Sequence, residues 1–220
     1  MQDLSITQKY MVCAVNNRGG LPTLSTNKQI CFVAAGVLEL QMEQCISIDN
    51  NIIAIAGKLP KRMSYLFSLY EYIHKHSPIK TKKLFEEYNY SVIGKRLNAL
   101  LSDVGKSLAE QEALSKFTNG FLGYFKRFVP KRETVEIIVD EIRAELLEDG
   151  EITDNCAALV VLLAKSGCLS KYFSPFERRK IKDKLAFIVN SSNGTLIKKA
   201  IAHIENLIAL NTGVLGVFGE

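Results

Sequence analysis

Apolar residues follow three patterns along the 220-residue chain. From Lys131 to Leu147, Val135, Ile138, Ile142 and Leu146 recur at intervals of three, four and four with acids between them, which predicts an amphipathic helix packed on one side. Met63, Leu66, Phe67, Tyr70 and Ile73 step the same way after Pro60 and predict a second such helix. Cys31 to Leu40 and Cys156 to Ala164 are almost uninterrupted apolar runs. They predict helices buried on most sides, within Ser25 to Met42 and within Ala157 to Lys165, the latter capped by Thr153-Asp154. The third pattern is short and extended. Cys45 to Ile48 and Ile52 to Ile55 flank Asp49-Asn50-Asn51 as a small β-hairpin, and Asn119-Gly120, between Phe117-Thr118 and Phe121-Leu122, signals a second within the aromatic stretch Ala113 to Phe128.

Turn and cap residues supply the boundaries. Leu4 to Val15 is loosely helical and ends at Asn16-Asn17-Arg18-Gly19-Gly20. Ser77-Pro78 reads as a serine cap with proline at the first helical position, followed by two short helices, Thr81 to Tyr88 and Ser91 to Val104. Ser174-Pro175-Phe176-Glu177 has the form of a capping box opening a helix that runs to about Asn190. Ser191-Ser192-Asn193-Gly194 breaks it before a last helix, Thr195 to Leu210. With no linker and no repeat, the expected fold is mainly α: a single compact helical domain over 1–212 with short β-hairpins, one of them projecting and aromatic-rich, and a flexible C-terminal tail at 213–220.

Composition narrows the class. A chain that is 47% hydrophobic and 23% charged has enough apolar surface for a core without staples. Five cysteines (Cys13, Cys31, Cys45, Cys156, Cys168), an odd number without a C-x-x-C pair, argue against a disulfide framework and a zinc knuckle and suit reduced thiols. The longest uncharged apolar runs, Cys31 to Leu38 and Cys156 to Ala164, are eight and nine residues, against about 20 for a spanning helix. The opening Met1-Gln2-Asp3-Leu4 lacks the basic and apolar regions of a signal peptide, so a cytoplasmic location is expected, with peripheral attachment to the inner membrane face open to it.

Net charge is +5 but unevenly spread. Lys58 to Arg96 carries nine Lys/Arg against three acids, Lys116 to Arg132 adds +5 without an acid, Glu133 to Glu151 swings to −7, and Lys165 to Lys184 returns to +5. Such blocks attract phosphate-bearing surfaces if the fold gathers them on one side.

Catalytic motifs are absent. The chain lacks G-x-S-x-G, H-E-x-x-H and G-x-G-x-x-G. Gly105-Lys106-Ser107 imitates the end of a P-loop, but Leu100 stands where its first glycine is needed. His74 and His76 are two apart on a helix and point to different faces, and His203 stands alone on an apolar helix. The expectation is a protein that is not an enzyme and carries no metal or cofactor.

Several segments in order resemble the Golgi phosphoprotein 3 family. They are Leu4-Ser5-Ile6 leading into Tyr10 to Val15 and the turn at Gly20, Ala35-Gly36-Val37-Leu38-Glu39-Leu40 before the strand Cys45 to Ile48, and Gly57-Lys58-Leu59-Pro60 before the helix Met63 to His76. Gly94-Lys95-Arg96-Leu97, the Phe117 to Phe128 hairpin and Asp154 to Leu159 continuing to Ser166-Gly167-Cys168-Leu169 complete the match. The resemblance implies a non-enzymatic peripheral membrane adaptor that reads phosphatidylinositol 4-phosphate. It also places Leu24 at the family's lipid-pocket tryptophan, Val33 at one arginine, and Ser91 and Gly94 at an arginine pair. None of these residues offers the bidentate guanidinium fork. Lys28, Lys95 and Arg96, near those positions, with Ser91 itself and with Lys126 and Arg127 on the hairpin, are the expected donors of a less selective lipid or anion site.

The family's hairpin projects and mediates oligomer formation, which makes Phe117, Phe121, Leu122, Tyr124 and Phe125, together with Phe128 and the rim residues Lys116, Lys126 and Arg127, an expected interface for a homo-oligomer or a membrane. An unidentified protein cargo is a further expected partner. The competing reading takes Thr81 to Val104 as helix-turn-helix and Lys116 to Phe128 as its wing, a DNA-binding module over 81–128 in which Lys95, Arg96 and Asn98 face a groove and Lys126 and Arg127 contact phosphates.

Overall fold

Three apolar helices pack against one another at the centre of the computed structural model: α1 (Ile6–Ala14), α2 (Thr26–Met42) and α7 (Asp154–Lys165). The structure describes residues 3–16, 19–21, 26–89, 94–119, 126–148, 151–190, 202, 205–206 and 208–209. Every residue of α1 is buried, as are Ile30 to Leu40 of α2 and Cys156 to Leu163 of α7. The near-continuous apolar runs thus become helices with no solvent face, as their sequences predict.

The remaining helices cover this centre and are one-sided. They are α3 (Phe67–His76), α4 (Thr81–Asn89), α5 (Lys95–Glu110), α6 (Arg132–Leu146) and α8 (Pro175–Asn190). A 3₁₀ turn, Lys61–Leu66, leads into α3, and another, Cys168–Lys171, joins α7 to α8. In α6, Ile138, Ile142 and Leu146 are buried while Glu133 and Glu136 face water, matching the predicted stripe. The box before α8 forms as expected: Ser174 N donates to Glu177 Oε2 at 2.7 Å, and Glu177 N donates to Ser174 Oγ at 3.3 Å.

Two β-elements differ from expectation in informative ways. β1 (Ile46–Asp49) and β2 (Ile52–Ile55) form the predicted hairpin, with Ile46 opposite Ile55 and Ile48 opposite Ile53. Ser77-Pro78 does not start a helix. Ile79 and Lys80 instead form β3 (Ile79–Lys80), pairing with Ile53 and Ile52 of β2, and Ser77 Oγ accepts from Ile55 N at 3.1 Å. Burying Ile79 against the sheet outweighs the local helix-start signal, and α4 begins at Thr81.

The second hairpin pairs β4 (Leu114–Asn119) with β5 (Lys126–Pro130), placing Phe117 opposite Phe128 and Asn119 opposite Lys126. That register excludes a two-residue turn at Asn119-Gly120. The segment 120–125 between the strands lies outside the described residues.

Phe128 sets this register. Its ring fills the space over Gly105 in α5, where an added Cβ would come within 1.9 Å of it, and its N–H donates to Gly19 O at 2.8 Å. Phe128 is therefore a buried plug and not one of the exposed rings expected of the hairpin. Gly105-Lys106-Ser107, the P-loop look-alike, is mid-helix in α5, with Ser107 Oγ donating to Val104 O and accepting from Gln8 Nε2 at 2.8 Å.

Gly105→Ala should lower stability even though alanine favours helix by about 1 kcal/mol, because the new methyl displaces the Phe128 ring and overpacking costs about 1–3 kcal/mol. Urea unfolding of the variant would show a lower midpoint. An unchanged or higher midpoint would contradict the plug.

Candidate functional site

Charged side chains divide into those that hold helices together and those that face water. Glu39 on α2 belongs to the first group and is buried. Its carboxylate accepts from Thr7 N at 3.1 Å, from Thr7 Oγ1 at 2.6 Å and from the Tyr65 hydroxyl. Thr7 is in the first turn of α1, where backbone N–H groups lack helical partners and the helix dipole favours a negative charge. Ser5 and Gln8 close a capping box on the same turn. Burial first, and the Glu39 charge next, push the Tyr65 phenol well above its ordinary range, so it remains a donor.

Beside Glu39 opens a cleft of about 350 Å³ whose lining includes Asp3, Glu43, Arg62 and Gln111. Arg62 is paired with Glu43 across its rim. Sequence reading passed over this polar cluster, because Thr7, Glu39 and Tyr65 are brought together only by the tertiary fold.

Part of the acidic block of α6 is paired, while Glu133 and Glu136 stay at the surface. Lys9 Nζ contacts Glu141 at 2.6 and 2.8 Å and Asp3 at 3.3 Å. Burial pulls the Lys9 pKa down, but these carboxylates more than offset it and the net shift is upward. Arg143 bonds Glu177, Asp140 and the Tyr172 carbonyl. Lys184 donates to the carbonyls of Glu145 and Glu148 at the end of α6, at 3.0 and 2.7 Å.

The described residues of the expected anion site lie on three elements, α2, α5 and β5. Lys28, half-buried on the first turn of α2, has its backbone carbonyl held by the Tyr10 hydroxyl at 3.0 Å. Lys171 donates to the carbonyls of Cys13 and Val15 at 3.2 and 3.1 Å and so completes the C-terminus of α1. Burial first, and Lys28 in addition, hold the Lys171 pKa below the ordinary lysine range. That influence links positions 143 residues apart and could not be read from spacing.

Lys95 is exposed at the start of α5. Arg96 is engaged: its Nε donates to Glu87 Oε2 at 3.2 Å and its guanidinium stacks over Tyr72, 4.3 Å from the ring centre. This restrains it in the lipid-site and duplex-binding readings alike. Gly94, with φ +57°, is the left-handed residue before α5, and Val33 is fully buried in α2.

Arg127 is exposed on β5, whose neighbour Phe128 seats on Gly105. Ten residues of α5, about 15 Å of helix, separate that seat from Lys95, so the structure does not bring the hairpin cation and the α5 cation together. Ser91, Leu24, His203, Phe121, Leu122, Tyr124 and Phe125 lie outside the described residues, as do the side chains of Lys116, Phe117 and Lys126.

All five cysteines are free and buried. Burial pushes Cys13 and Cys31 up to about 12, leaving both as protonated, poorly nucleophilic thiols at neutral pH. Among the described residues no group of three potential metal ligands is assembled, and no helix is long and apolar enough to cross a membrane.

Glu39→Gln should lower stability by about 1–3 kcal/mol, through loss of the charge-assisted bonds and the unfavourable donor set facing Thr7, with Tyr65→Phe costing about 1 kcal/mol. Unfolding curves for both variants would check this. Wild-type stability in Glu39→Gln would contradict the role assigned to the carboxylate.

Against this geometry, comparison with known families finds that a model described as Golgi phosphoprotein 3 (GPP34) matches residues 6–207. No curated protein matches the chain.

Proposed function

The chain belongs to the Golgi phosphoprotein 3 (GPP34) family across residues 6–207, and on that premise we propose that it is a non-enzymatic peripheral membrane adaptor that binds anionic, phosphoinositide-like headgroups through a basic face. Family membership is consistent with an adaptor role. The observation that carries the lipid reading is the position of Lys28, half-buried on the first turn of α2, with the charge of Lys171 acting on the same region. A phosphate beside Lys28 would accept a charge-assisted hydrogen bond from it, while Lys171, whose three donors face the carbonyls of Cys13, Ala14 and Val15, would add only its charge. Exposed Lys95 and Arg127 extend positive charge beyond this pair.

Lysines in place of arginine forks make a charge-reading site with weak geometric selectivity. Such a protein would sit on the inner membrane face as one domain spanning 1–212. Self-association through the aromatic hairpin, or capture of a protein cargo there, remains part of the same proposal.

Vesicle flotation tests it. Binding should occur on vesicles containing phosphatidylserine or phosphatidylinositol 4-phosphate and not on neutral ones, and it should weaken by about tenfold or more as salt is raised from about 0.05 to 0.5 M, because screening shortens the Debye length. Lys28→Glu should reduce it further. Equal recovery on neutral and anionic vesicles, or none on either, would overturn the reading.

A further inference from the structure

Helix α8 carries an exposed face that the basic face above does not include. Its inner side is accounted for: Ile181 and Leu185 are buried, Glu177 bonds Arg143, and Lys184 completes the end of α6. Its outer side presents Phe176 at 67% and Phe187 at 75% exposure, the two most exposed large apolar residues among those described. Eleven residues separate them, which at about 100° per residue is three full turns and at about 1.5 Å rise is 16 Å along one face.

Between the two rings lie Arg179, Lys180 and Asp183, all exposed. Arg178 and Lys182 stand at the lip of an adjoining cleft of about 230 Å³ lined by Leu169, Ile181 and Leu185. The Lys180 ammonium rests 4.9 Å from the centre of the Phe176 ring. On the side that carries the two rings, Arg179 and Lys180 accompany Asp183, while Arg178 and Lys182 turn toward the cleft.

We propose that α8 lies flat on an anionic bilayer, with Phe176 and Phe187 entering the headgroup layer and Arg179 and Lys180 contacting lipid phosphates. Aromatic rings and cations sharing the solvent side of a helix suit an interface that is apolar below and negatively charged above. Each ring gains by leaving water, and each nearby cation gains from the negative surface potential. A second copy of the chain is the wrong occupant, since facing copies would oppose like charges. Nucleic acid would satisfy the cations but leave the adjoining apolar cleft wet. This proposal rests on the membrane-binding reading and assigns it a surface.

The chain contains no tryptophan, so one introduced at Phe187 is a unique reporter. In Phe187→Trp, phosphatidylserine vesicles should shift emission to shorter wavelength and brominated acyl chains should quench it. Phe67→Trp, at an exposed site outside α8, should do neither. Phe176→Ser with Phe187→Ser should weaken flotation by about tenfold or more while leaving the melting transition in place, since neither ring packs in the core.

If wild type floats but the Phe187→Trp signal is unmoved, α8 is not the contact surface while the membrane reading stands. If wild type does not float, both fail. If the serine pair abolishes a concentration-dependent dimer and leaves flotation intact, the face pairs with a second copy and the proposal is overturned.

Discussion

One buried carboxylate fixes how the central helices meet. Glu39 reaches from α2 to the first turn of α1 and to Tyr65 in the 3₁₀ turn before α3, so three segments distant in sequence share one hydrogen-bond set. A carboxylate in that position would be costly if isolated. The partially positive N-terminus of α1 makes it favourable and sets the level at which α1 and α2 pack. From that level, Gln8 reaches Ser107 on α5 and Lys9 reaches Glu141 on α6, placing the outer helices about the same axis.

The same division of labour explains why the blocks of charge along the chain do not become blocks on the surface. In the acidic run Glu141, Asp140 and Glu145 are paired with Lys9, Arg143 and the Thr153 cap, while Glu133 and Glu136 stay at the surface. Within the basic run that follows, Lys171 and Lys184 complete the C-termini of α1 and α6, and Lys165 approaches Glu205 at 3.9 Å. The outer face of α8 and the vicinity of Lys28 are left with positive charge facing water. Net charge therefore understates the polarity of these surfaces, and it is surface potential that a bilayer senses.

Local pattern made the helices legible and long-range pairing hid the rest. The 3-4 spacing in α6, the apolar runs of α2 and α7 and the box at Ser174 are intrinsic to short segments, and the structure forms each of them. Ser77-Pro78 misleads because its signal is local, whereas β3 exists only through pairing with β2. Asn119-Gly120 misleads for a related reason: Phe128 finds its seat on Gly105 in another element, and that seat dictates the register. Among candidate site residues, Lys28 and Lys95 are placed near or in water as expected. Arg96 is drawn into contacts with Glu87 and Tyr72 that its own neighbourhood does not reveal.

On the proposed reading, a fold held by internal charges turns its remaining cations toward an anionic membrane. Hydrogen–deuterium exchange with and without phosphatidylserine vesicles tests this most directly. The account predicts slower exchange on membrane addition in the first turns of α2 and along α8, with the buried amides of α7 unchanged. Protection confined to other surfaces, or no protection at any peptide, would contradict it.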